Sequence, residues 1–277
     1  MNKTILASAL AASALFTAGS AVAAPFIINT ALNGITTGFD NLITAAGSTV
    51  VTAQVVRNQS VYNYIDKDGN PATVSVTRPI SGAAANPTVS GYGSGIGAVS
   101  GALWDIGPSS AALGGTPAIP GFNNSGLTFT FSSPVNAFGF EVGDWATCCY
   151  SGTRPAAVQS AYSVPATGSG LWIAFDGGAA TLPANALNQN DNPGVAAYGQ
   201  FTNFIGAIDS SSFFSSVTFF GDGFGEVLYA GGTLRFASVP QGSIDDGGVA
   251  GVPEPASLAL LGIGLMGLGA MRRRKSA

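Results

Sequence analysis

Two carboxylates, Glu141 and Asp144, stand beside Trp145. Paired acids next to an aromatic platform suit glycoside hydrolysis, one protonating the leaving oxygen and the other acting as base or nucleophile. Residues three apart on a strand face opposite ways, so these two converge only if the chain turns at Gly143. Glu226 is a third acid of this kind. The plainer reading is a hydrogen-bonding carboxylate at a strand end and a solvated one in a loop, and no catalytic residue is assigned. Asp66, Asp68 and Asn70 offer oxygens to calcium, but Gly69 occupies the fourth place where an EF-hand loop needs glycine at the sixth. A hairpin turn explains that run better, so no metal site or cofactor is assigned. Calcium held elsewhere through backbone carbonyls would leave no sequence signature.

Cys148 and Cys149 are the only thiols. Adjacent Cα atoms lie about 3.8 Å apart, below the usual disulfide range, so a bond between them closes a strained ring. A vicinal bridge, two free thiols and a bridge to a second chain stand as alternatives. The chain has no histidine, which removes the commonest general base and zinc ligand and with them Ser-His-Asp and Cys-His catalysis. Trp104, Trp145 and Trp172 are candidates for stacking on sugar rings, as are Tyr62, Tyr64 and Tyr92, with burial in the core as the competing reading. Gly91 to Gly97 lacks the lysine of a phosphate-binding loop. Gly262-x-Gly264-x-x-Gly267 has dinucleotide-binding spacing but follows no strand, so it is set aside.

The elements that must position these residues are short. Runs of β-branched and aromatic residues recur between Gly, Pro and Asn clusters, predicting strands over 49–57, 61–65, 73–77, 127–132, 135–142, 171–175, 201–208, 213–220 and 233–239. No helical pattern exceeds about two turns, so the chain reads as all-β, a sandwich or barrel. Leu127, Phe129 and Phe131 share one face against hydroxyl residues; Phe138, Phe140 and Val142 share another, with Asn136 opposite. Asp66 to Asn70 tolerates positive φ, which makes 61–77 a hairpin, and Pro134 falls between two strands.

Of the 277 residues, 46% are hydrophobic and 9% charged, with 39 glycines; such a chain is too apolar for a disordered tail and favours turns. Four of its ten basic residues, Arg272, Arg273, Arg274 and Lys275, form one terminal block. Between residues 24 and 250 there are thirteen acidic and five basic residues, 5 − 13 = −8. That balance excludes nucleic acid and anionic lipid as partners and leaves neutral or cationic polymers.

Residues 1–23 read as a secretory signal peptide. Lys3 charges its start, Ile5 to Phe16 is apolar, and Ala21-Val22-Ala23 forms a small-x-small cleavage site, with cleavage after Ala23. Residues 241–252 read as a flexible linker after a domain spanning 24–240. In residues 253–277, Pro253-Glu254-Pro255 precedes an apolar run, Ala256 to Met271, that stops at the basic block. As a helix, those sixteen residues reach about 24 Å, short of a hydrocarbon core of about 30 Å. The basic block stays cytoplasmic, so the domain before it lies outside. Gly262, Gly264, Gly267 and Gly269 weaken the run further. A plain tail anchor is the competing reading.

These three parts in order resemble the PEP-CTERM sorting signal, over about a tenth of the chain. The resemblance implies that Pro253, Glu254 and Pro255 are read by an exosortase-like membrane transpeptidase. The protein would then be tethered to the inner membrane by a short C-terminal hydrophobic helix, processed, and delivered to the envelope, surface or extracellular matrix. The stretches 127–145 and 213–221 resemble segments of PEP-CTERM ectodomains, which implies a jelly-roll-like β-sandwich of the carbohydrate-binding kind. Where such ectodomains often end in an Ile-Asp-Asn strand, this chain has Gly225-Glu226-Val227-Leu228-Tyr229, so no ligand role is carried over through that motif. The expectation is a non-enzymatic, surface-directed component with polysaccharide as its candidate partner. A carbohydrate-active enzyme and a structural adhesin are the alternatives.

Overall fold

Leu127, Phe129 and Phe131 are buried while Thr130 and Ser132 are exposed, the alternation their sequence predicts. They belong to a computed structural model that describes residues 25–89, 102–105, 126–143, 152–187, 191, 201, 203–221 and 229–244. The signal peptide, including Ala21 and Ala23, and the tail, including Pro253 to Pro255 and Arg272 to Lys275, lie outside the described residues. Among the described residues no helix is long and apolar enough to cross a membrane.

The strands are β1 (Phe26–Ala31), β2 (Val51–Gln54), β3 (Val61–Ile65), β4 (Pro71–Thr77), β5 (Thr88–Val89), β6 (Ala102–Asp105) and β7 (Leu127–Val135). They continue with β8 (Ala137–Gly143), β9 (Gly152–Thr153), β10 (Thr167–Phe175), β11 (Thr181–Ala186), β12 (Asn203–Ile208), β13 (Phe214–Gly221) and β14 (Tyr229–Ala237). One sheet runs β1-β12-β8-β14-β6-β5, with β2 on β14; the other runs β11-β10-β13-β7-β4-β3, with β9 on β10. Setting aside the two-residue β9, the eight strands from β6 onward form the quartets β6-β14-β8-β12 and β7-β13-β10-β11. That is the strand order of a jelly roll, so the fold is the all-β sandwich the sequence implied.

Aromatic rings fill the space between the sheets. Phe129 lies 4.6 Å from Phe138 and 5.5 Å from Phe140, and Phe140 meets Phe219 edge-on at 4.5 Å. Two smaller apolar clusters cover the outer faces. Residues 32–45, a chain of short helical turns, lay Phe39 and Ile43 on Phe204, Ile208 and Ala237 of the first sheet. The helix Ala156–Tyr162 packs Val158 against Trp172 and Phe220 of the second. Neither helical piece was expected, because each is too short to leave a periodic stripe.

Three details differ from the sequence reading. Pro134 lies inside β7, where the register with β13 breaks between Phe214 and Ser216, so the missing donor is still tolerated. Asn136 is fully buried between β7 and β8, and its amide bonds both the N–H and the carbonyl of Val239. The packed chain runs past residue 240 to Ile244, which is buried and whose carbonyl accepts the Ser210 hydroxyl at 2.9 Å.

Candidate functional site

Strand alternation decides which candidate side chains reach a surface. Trp104 is 1% exposed, its indole N–H donating to the Ala85 carbonyl at 2.7 Å, and its ring meets Phe129 edge-on. Trp172 is fully buried under Tyr162, with the Arg154 guanidinium 5.9 Å from its ring centre. Neither can stack on a sugar, which corrects that expectation: both are core residues, one inside the sandwich and one under a helix. Tyr62 and Tyr64 are likewise buried, their hydroxyls donating to the carbonyls of Gln59 and Ser133. Trp145, Tyr92, Asp144, Glu226, Cys148 and Cys149 lie outside the described residues.

Glu141, on β8, projects from the outer face of the first sheet. Arg235 of β14 lies beside it, Nη1 3.6 Å from Glu141 Oε1, and the same guanidinium donates through Nε to Asp40 at 3.2 Å. Burial pushes the Glu141 carboxyl above the usual glutamate value. The Thr233 N–H and hydroxyl and the Arg235 charge oppose that rise without cancelling it. This acid is therefore held between a cation and the N–H and hydroxyl of Thr233, and the Arg235–Asp40 pair ties residues 32–45 to the sheet. Among the described residues no three metal-binding side chains cluster. The Asp66 carboxylate accepts the N–H groups of Asp68 and Asn70, and Lys67 pairs with Asp68 at 2.7 Å. Those bonds hold Asp66 below the usual carboxylate range and build the tip of the β3–β4 hairpin, with Gly69 at φ +83°.

Two concavities flank that hairpin. A cleft of about 450 Å³ lies between it and the loop before β2, lined by Thr49, Tyr64, Asp66, Lys67, Ser133 and Ser238. The Ser48 hydroxyl, donating to the Ser238 carbonyl at 2.9 Å, clips that loop down. On the outer face of the second sheet, a hollow of about 360 Å³ is lined by Asn63, Ile65, Pro71, Thr73 and Ser132. Its polar groups are neutral amides and hydroxyls set among Ile65, Pro71 and Ala72, with Tyr64 also in the lining, and they can exchange hydrogen bonds with an uncharged hydroxylic ligand. Nothing in the sequence marked it, because its residues come from three strands and are individually ordinary.

Sequence reading also missed Arg154 and Asp209. Arg154 is 1% exposed and donates to Pro165 O, Thr167 O and Asn185 Oδ1. Asp209 accepts from the N–H and hydroxyl of both Ser211 and Ser212. The run Asp209-Ser-Ser-Ser212 carried a legible turn signal for the second; Arg154 had none.

Residues 251–275 match the family model of the PEP-CTERM protein-sorting motif. The chain carries that motif, which marks it as an exported, surface-directed protein sorted by an exosortase. No curated protein and no solved structure matches the chain, so the jelly-roll assignment rests on strand order alone.

Proposed function

We propose that the jelly-roll domain is a non-enzymatic component of the cell envelope or extracellular matrix that binds polysaccharide. The apolar run from Ala256 to Met271 would hold it at the inner membrane until the tail is processed. The observation that carries the reading is the pairing of a sorting motif at residues 251–275 with a jelly roll whose hollow on the outer face of the second sheet is lined by hydroxyl and amide groups. The acidic balance of residues 24–250, net −8, favours a neutral or cationic polymer over an anionic one. The engagement of Glu141 by Arg235 supports a structural role for the one candidate acid described. Binding needs no cofactor on this reading.

A glycan array probed with residues 24–250, with and without calcium, tests it. Saturable binding to neutral glycans that is unchanged by a chelator is the expected result. Silence across neutral and cationic polymers would favour a purely structural adhesin, and glycan cleavage would favour the enzyme.

A further inference from the structure

The two sheets differ in charge. None of the seven strands of the second sheet contains Asp, Glu, Lys or Arg, whereas the first carries Asp105, Glu141 and Arg235. The inner residues of β3, β4 and β7 are apolar or aromatic, and the alternating outer positions are Ser, Thr and Asn except at Val61, Ile65, Pro71 and Pro134, the first three of which add exposed apolar surface at the β3–β4 edge. Cross-strand register sets Ser75, Thr130 and Ser216 in one row and Thr77, Thr128 and Thr218 in another. Neighbours in a row lie about 4.8 Å apart, and alternate residues along a strand about 6.8 Å apart. Over β10 and β13 this face is covered by the helix Ala156–Tyr162. Over β3, β4 and β7 it is open: Asn63, Thr130 and Ser132 are exposed, and Ile65 is 57% exposed. The 360 Å³ hollow is set into this open part.

Among the described residues, a charged partner finds no counter-charge on the strands of this face, and a polyanion is repelled by the domain that carries it. A neutral polymer bearing hydroxyls meets donors and acceptors at a regular spacing, with Ile65 and Pro71 to receive its C–H surfaces. We infer that the open face of β3, β4 and β7, centred on Asn63, Thr73 and Ser132, holds a neutral polysaccharide chain laid across the strands. This rests on the polysaccharide reading above and narrows it to one surface and one charge class.

The test is affinity electrophoresis of the full chain, purified from the cell envelope in mild detergent, through gels containing dextran or hydroxyethyl cellulose, with alginate as the anionic control. A neutral polymer should retard the wild type and alginate should not. Asn63→Lys and Thr130→Lys, both at exposed positions, should lower the affinity at least tenfold with melting temperatures unchanged. Thr130→Val, which adds no charge, should weaken binding severalfold. Thr49→Lys, in the cleft on the other side of the hairpin, should bind as the wild type does. Equal retardation of the wild type and the Asn63 and Thr130 variants would overturn the face while leaving polysaccharide binding intact. No retardation of the wild type by either neutral polymer would remove both. A change in oligomeric state in the Lys variants would mean that a second copy of the chain covers the face, and would also overturn the inference.

Discussion

Asn136 and Val239 bond twice: the Asn136 amide nitrogen donates to the Val239 carbonyl at 2.9 Å, and its oxygen accepts the Val239 N–H at 2.7 Å. One side chain thus supplies what a neighbouring strand would, at the corner where the chain crosses from one sheet to the other. Replacing it with alanine leaves a buried N–H and a buried carbonyl unpaired. We expect Asn136→Ala to cost about 2–4 kcal/mol in urea unfolding, and Asn136→Asp, which keeps the acceptor only, to cost nearly as much.

Phe204 lies over two glycines. A Cβ added at Gly139 would meet the Phe204 ring at 2.2 Å, and one added at Gly206 would meet it at 2.6 Å. The bare backbone therefore lets the ring seat on the sheet and meet Phe39 edge-on at 4.9 Å. Gly139→Ala should destabilise by about 1–3 kcal/mol through overpacking, and Phe204→Ala by about 3–5 kcal/mol. The double variant should cost clearly less than the sum, since removing the ring removes the clash. Strict additivity would show that the two do not interact.

Glu141 has a carboxyl raised by burial. The native state then holds its proton to higher pH than the unfolded chain does. The associated stability is complete below the ordinary glutamate value and is lost as pH rises through the native one. Asp66, held low by backbone bonds, acts in the opposite direction, so the wild-type profile mixes the two. Denaturant unfolding of the wild type and Glu141→Gln across mildly acidic pH isolates the glutamate: the wild type should lose stability relative to the variant as pH rises. A constant difference would contradict the assignment.

Tyr62, buried between the sheets, has its phenol pushed up to about 12. The unfolded chain ionises near the ordinary tyrosine value of about 10, so stability falls as pH climbs between the two values. Burial raises the phenols of Tyr64 and Tyr162 as well, so tyrosinate absorbance should show several late groups, and Tyr62→Phe should remove one of them and lessen the alkaline decline in stability.

Strands whose faces differ sharply were legible in the sequence. Leu127 to Ser132 declares its buried side by strict alternation, and Asp66 to Asn70 declares a turn by its residue types. Strands without that contrast were not. Thr181–Ala186 is an edge strand of small residues around Pro183, and Ala102–Asp105 has four residues, too few for a period to register. Trp172 illustrates the limit at the site: its neighbours in sequence cannot tell which face of β10 will receive the helix Ala156–Tyr162. The Arg235 beside Glu141 is 94 positions further along the chain, so only the pairing of β8 with β14 reveals it. The hydroxyl face needed register, because no single strand distinguishes a solvated Thr-Ser edge from a continuous uncharged surface.

The motif at residues 251–275 marks this jelly roll as an exported domain, and we propose that the tail is removed once it has directed sorting. Intact-mass measurement of the protein recovered from the cell surface tests it most directly. The expected mass is that of a chain beginning at Ala24 and ending near Pro253-Glu254-Pro255, without the apolar run and the Arg272–Lys275 block. A surface protein whose mass still includes residues 256–277 would contradict it.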